Sequence, residues 1–205
     1  MALATYTDLL ASVSAWMDRT DLTAVIPDFV VLTEARIARD LRIRKQVTNT
    51  MTSTVANVQY IALPSDFLEL ENLSIPAAST PNYLAVVTPE LIDVKYPAGI
   101  NTGQPRVYAL LGDRIQFGPT PDAVYAVSID YYARLAALAT TSPNWLLTNY
   151  PNIYLFGALT EGWSYLMDAD KSSYWQARYT GEIKSLYDAD DEALRSGSSM
   201  RVRIV

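Results

Sequence analysis

PRVYALLGDRIQFGPTPDAVYAVSIDYYAR, residues Pro105 to Arg134, decides the fold class of this chain. Tyr108 and Leu110 on one side, and Ile115 and Phe117 on the other, flank Gly112-Asp113, a small-residue pair of the kind that closes a hairpin. Gly118-Pro119-Thr120-Pro121 then interrupts pairing, because neither proline has an N–H to give to a ladder. Beyond it Val124, Ala126 and Ser128 fall on one face of a strand and Tyr125, Val127, Ile129 and Tyr131 on the other. The stretch is predicted as three strands joined by two tight turns. None of its side chains is an obvious catalyst.

Helical signals lie on both sides of it. Thr7 is the expected N-cap of a first helix with Asp8 at its positive end, and Leu9, Leu10, Val13, Trp16 and Met17 make one apolar stripe. Thr20-Asp21 breaks that helix, and a second starts near Pro27. Its inward positions read as Phe29, Val30, Ala35, Ile37 and Leu41, which leaves Arg36, Arg39, Arg42, Arg44 and Lys45 outside.

From Gln46 the period changes to two. Val47, Met51 and Val55 oppose Thr48, Thr50, Thr52 and Thr54, and after a turn at Asn57 the segment Val58–Leu63 reads as a second strand. A turn around Pro64-Ser65-Asp66 leads into a strand over Glu69–Ile75, then a loop from Pro76 to Pro81. Thr88-Pro89-Glu90 starts a short helix that ends by Tyr96-Pro97. Past Leu138 the helical spacing returns. Leu155, Leu159, Gly162 and Leu166 form one stripe, and Trp175, Tyr179, Ile183, Leu186 and Leu194 another after a connection at Asp168–Asp170.

Runs of strands between runs of helices predict an α+β fold rather than a wound parallel sheet. The expected organisation is a single domain. Residues 1–46 and 143–195 supply a helical bundle, 47–142 a mostly antiparallel β-rich insertion, and 196–205 a flexible tail.

At 205 residues and half apolar, the chain is long enough and greasy enough for one folded domain. It has no Cys and no His, which removes disulfides, thiolate nucleophiles, Cys/His zinc sites and Ser-His-Asp triads together. A net charge of −6 and a pI near 4.6 argue against tight binding to duplex DNA. No Walker loop or GxGxxG occurs, so no cofactor is expected. The N-terminus has no basic residue ahead of its apolar part and is not expected to be a secretory signal. The uncharged run between Arg134 and Glu161 is interrupted by Pro143, Asn144, Asn149, Pro151 and Asn152, so it reads as a loop entering a helix and no membrane partner is expected.

Three clusters are candidates for function. Asp188, Asp190, Asp191 and Glu192 are the best carboxylate group, yet DADDEAL lacks the glycine and terminal glutamate of a calcium loop and reads as a solvated helix face. Arg36, Arg39, Arg42, Arg44 and Lys45 concentrate positive charge in a chain with only 16 basic residues, as a solvated helix face first, a protein contact next and a nucleic-acid contact last. In the tail Met200–Val205, Val202, Ile204 and Val205 alternate with Arg201 and Arg203, which reads equally as a strand that adds to a partner's sheet and as a frayed terminus.

The order of YTDLLASVSAWMDRTDL, IPDFVVLTEARIARDLR, YIALPSDFLEL, GQPRVYALLGDRIQFGPTP, VSIDYYARLAAL and NWLLTNYPNIYLFGALTEGWSYLMD resembles the head–tail adaptors of tailed bacteriophages, in particular the tail-tubular A-like adaptors of short-tailed phages. That resemblance implies a non-enzymatic virion protein that forms a ring, usually of twelve copies, under the portal. The ring receives the next tail component, a nozzle or tail fibre, and dsDNA passes through it without specific binding. It also implies residence at the head–tail interface, after assembly in the host cytoplasm. A separate expectation, from the tail pattern itself, is that Met200–Val205 docks on the portal. The alternatives are a phage-associated cell-wall hydrolase using a carboxylate pair and a carbohydrate-binding module on the β-rich part.

Overall fold

Thr5 opens the first helix in the computed structural model, which describes residues 3–76, 82–97 and 100–195. Its hydroxyl accepts the Asp8 N–H at 3.2 Å, and the Asp8 carboxylate accepts the Thr5 N–H at 3.1 Å. The cap therefore sits two residues before the expected Thr7. A capping box needs an acid three positions beyond the cap, and only Thr5 stands at that distance from Asp8.

The helical elements are α1 (Tyr6–Met17), α2 (Ile26–Asp40), α3 (Pro89–Lys95), α4 (Trp145–Asn149), α5 (Pro151–Tyr165) and α6 (Ala169–Arg195). The strands are β1 (Val47–Ser53), β2 (Tyr60–Ala62), β3 (Phe67–Ile75), β4 (Asn82–Tyr83), β5 (Ala85–Val86), β6 (Val107–Leu111), β7 (Arg114–Gly118) and β8 (Ala126–Ala133), with a 3-10 turn at Arg44–Gln46 before β1. The fold is α+β. Contacts divide the chain into two units: the residues up to Ile43 with those from Leu135, and Arg44–Arg134.

In the helical unit α5 is the centre, packed against α1, α2, α4 and α6. Every residue from Ile153 to Thr160 is buried, which explains the uncharged stretch: a helix surrounded on all sides has no face for charge. Leu138 is buried in the same core and its N–H donates to the Glu34 carboxylate at 2.7 Å, so the segment after Leu135 packs with helices, not with strands as expected. Ala35, expected inside, is exposed, and the buried position on that turn is Thr33, whose hydroxyl donates to the Phe29 carbonyl at 2.8 Å. Where α2 meets α5 the partner of Thr33 is Gly157. A Cβ there would lie 2.3 Å from Thr33 Cγ2, so the approach of the two helices requires glycine.

The β unit is two four-stranded sheets, ordered β1-β8-β3-β4 and β2-β7-β6-β5. The hairpin β6–β7 closes at Gly112-Asp113 as expected, with Leu111 opposite Arg114 and Gly112 at φ +60°. The third strand does not continue that sheet. Instead β8 pairs with β1 and β3 in the other one, so Gly118–Pro121 carries the chain between sheets. Val127, Ile129, Tyr131, Leu73 and Ile75 from one sheet, with Ile61, Ile115 and Phe117 from the other, form one apolar core. Helix α3, capped by Thr88, covers the far side of the second sheet, where Gln116 donates to the Asp93 carboxylate at 2.7 Å.

Candidate functional site

The basic run does not form one surface. Arg36 lies within the bundle, its guanidinium donating to the Glu161 carboxylate and the Gln176 side-chain oxygen and lying 5.6 Å from the centre of the Tyr179 ring. Only 20 % of that side chain and 17 % of Glu161 are exposed, which corrects the expectation that Arg36 faces solvent. The physical reason is Glu161 itself: a carboxylate on the central helix needs a partner inside the bundle, and α2 brings Arg36 to it. Arg42 turns back on its own helix, donating to the carbonyls of Ala38 at 2.8 Å and Leu41 at 2.7 Å, so it covers acceptors left open at the end of α2. Its backbone N–H donates to the Tyr187 hydroxyl, which donates in turn to the Asp40 carbonyl, each at 2.7 Å.

Arg39 is exposed on α2. Arg44 and Lys45 are exposed too, but on the 3-10 turn of the β unit, because the division of the chain falls between Ile43 and Arg44. Met200, Arg201, Val202, Arg203, Ile204 and Val205 lie outside the described residues. Of the acidic cluster, Asp188, Asp191 and Glu192 are exposed on α6 and Asp190 is half-buried; among the described residues no group of three carboxylates is placed to hold a metal ion.

Titratable groups in the bundle are bound up in its structure. Burial raises the Glu34 pKa above the usual carboxylate range, and the N–H donated by Leu138 offsets part of that rise. Burial likewise raises the Tyr154 hydroxyl, which accepts a hydrogen bond from the Asn144 side-chain amide at 2.7 Å, while Asn144 caps α4 by accepting the Leu147 N–H at 2.9 Å. The Tyr179 hydroxyl is raised by burial and by Asp40, 3.3 Å away.

Sequence reasoning missed an aromatic plate on the helical unit. Helical spacing places Trp16 in the apolar stripe of α1, yet 51 % of it is exposed. Its ring lies 5.6 Å from Trp175 and 6.4 Å from Phe156, and Tyr174 meets Trp175 edge-on at 5.0 Å. Arg178 sits over the group, 5.2 Å from the Phe156 ring, 5.7 Å from Tyr174 and 5.9 Å from Trp175. Exposed Trp and Tyr with Arg is the composition of energetically dominant contact residues. The available signal was the Tyr174-Trp175 pair followed by Arg178 one helical turn on. The β unit has its own exposed apolar residues, Val86 at 68 %, Leu91 at 50 % and Val94 at 82 %, the last two on one side of α3.

Comparison with known proteins supplies the family. The sequence profile of the SU10 adaptor protein family matches residues 4–203. The chain belongs to that family. It is therefore a phage adaptor, a structural component of the virion, as the sequence resemblance implied. No curated protein matches the chain. No described helix of this adaptor is long and apolar enough to cross a membrane.

Proposed function

We propose that this adaptor forms a ring, of about twelve copies by the resemblance stated above, under the portal at the head–tail interface, and hands on to the next tail component. The observation that carries the reading is the family match across nearly the whole chain. Two surface features support it. A ring closes through heterologous contacts, so each subunit needs two chemically different faces. The Trp16, Tyr174, Trp175 and Arg178 plate on the helical unit and the Leu91 and Val94 side of α3 on the β unit differ in this way. Arg39 adds a charged rim position suited to an acidic neighbour. A net charge of −6 suits a conduit that repels DNA and lets it slide.

The test is the native mass of the purified protein, alone and mixed with portal. A closed ring bound to portal in the mixture is the expected result. A monomer in both samples, with no portal bound, refutes the proposal.

A further inference from the structure

The outward side of α2 departs from the usual pattern of a surface helix. Ile26, Phe29, Val30, Thr33 and Ile37 are buried in the core of the helical unit. On the opposite side stand Asp28, Val31, Leu32, Ala35 and Arg39, all exposed, with Val31 at 56 % and Leu32 at 52 %. At about 3.6 residues per turn these positions fall in one stripe roughly 100° wide. A surface helix ordinarily carries polar residues there, yet the middle of this stripe is apolar.

Asp28, Leu32, Ala35 and Arg39 recur at intervals of four, three and four, the spacing of a seam along which two helices pack. Their order is self-complementary. Turned end for end about a point between Thr33 and Glu34, the stripe sets Asp28 on Arg39 and Leu32 on Ala35. Opposite charges then meet at both ends, and a large side chain meets a small one between them. Neither Asp28 nor Arg39 has an ion-pair partner among the described residues. The helix dipole accounts for an acid in the first turn and a base in the last, but not for Val31, Leu32 and Ala35 between them.

We propose that this stripe is a contact between two copies of the chain, in which the α2 helices pack antiparallel about a two-fold axis. Asp28 faces the partner's Arg39, and Leu32 packs over the partner's Ala35. The same residues oppose a parallel pair, which would set Asp28 beside the partner's Asp28 and Arg39 beside the partner's Arg39. A two-fold contact uses one face twice, unlike the heterologous joint of a ring. The pair therefore belongs to the protein free of portal, and it does not rest on the ring reading. Two 15-residue helices make a small interface, so the association is weak and reversible.

Sedimentation equilibrium of the full chain without portal, from micromolar to near-millimolar concentration, tests the pairing. The intact protein should pass reversibly from monomer to dimer. Asp28→Arg and Arg39→Asp should each weaken the dimer at least tenfold, and the double variant should pair like the intact protein. Leu32→Ser should weaken it at least tenfold with no change of charge. The deciding sample is an equal mixture of the two single charge variants. One carries only positive charge at the ends of its stripe and the other only negative, so a two-fold contact requires them to pair with each other although neither pairs with itself. These positions are exposed, and the urea midpoint of each variant checks that its fold is kept. A monomer at every concentration, equal association in all variants, or single variants that stay apart when mixed overturns the proposal.

Discussion

Gly157 and Thr33 meet where α5 passes α2 with no space for a Cβ between them, the nearest approach of a built Cβ being 2.3 Å to the Thr33 methyl. Thr33 cannot rotate away cheaply, because its hydroxyl is bonded to the Phe29 carbonyl and a β-branched side chain is stiff in a helix. Gly157→Ala gains roughly 1 kcal/mol of helix propensity but incurs overpacking of about 1–3 kcal/mol. We expect net destabilisation, read as a lower urea midpoint. Adding Thr33→Ala should restore most of it. A Gly157→Ala protein as stable as wild type refutes the close contact.

Arg36 is expected to matter more to folding than any other member of the basic run. Arg36→Met leaves Glu161 buried without its cation, at a cost on the order of 2 kcal/mol, between that of an exposed and a fully buried pair. Arg39→Met should change stability by less than about 0.5 kcal/mol, as for ordinary surface positions. Denaturant titration of the two variants separates them, and equal effects would argue against the internal bond.

Glu34 gives the bundle a pH dependence of definite sign. Its folded pKa is raised, chiefly by burial, so the folded state holds the proton over a window in which the unfolded chain has released it. The stabilisation from this group is complete below the ordinary carboxylate pKa and is lost as pH rises through the folded value. In Glu34→Gln that loss should vanish, while the side-chain oxygen still accepts the Leu138 N–H. Urea midpoints of both proteins from acid to neutral pH check this: the difference between them must grow in favour of Glu34→Gln as pH rises.

Arg178→Glu addresses assembly instead of folding. Arg178 is exposed and lies over three rings, a contact of about 0.5–1 kcal/mol at such a site. The unfolding midpoint should shift little. Formation of the portal-bound ring should weaken at least tenfold if the plate is a subunit contact, measured as the concentration for half assembly. Unchanged assembly removes the plate from the interface.

What the sequence disclosed is what local chemistry decides. The hairpin at Gly112-Asp113, the Thr88 cap and the alternation of Val127, Ile129 and Tyr131 depend on neighbours in the chain, and all were legible. Partner choice was not. A period of two looks the same whichever sheet β8 joins, so its transfer to β1 and β3 left no trace in the pattern. Arg36 has Asp40 one helical turn further on α2. Its bonded carboxylate is Glu161, 125 positions away, while Glu34 accepts the Leu138 N–H and Asp40 faces Tyr179. Trp16 shows the same limit: helical spacing put it in a stripe, but only the packing of α6 determines how much of the ring stays in solvent.

The pairing of β1 with β8 has a consequence for how the chain is threaded. Val47, just inside the β unit, stands opposite Tyr132, just before the chain leaves it. Entry and exit strands are therefore zipped side by side, and the helices before and after them see two chain ends held a single strand spacing apart. To the bundle the whole β unit is equivalent to a short hairpin, with a correspondingly small closure entropy. The chain thus enters and leaves the β unit at one place, and each unit closes a hydrophobic core of its own.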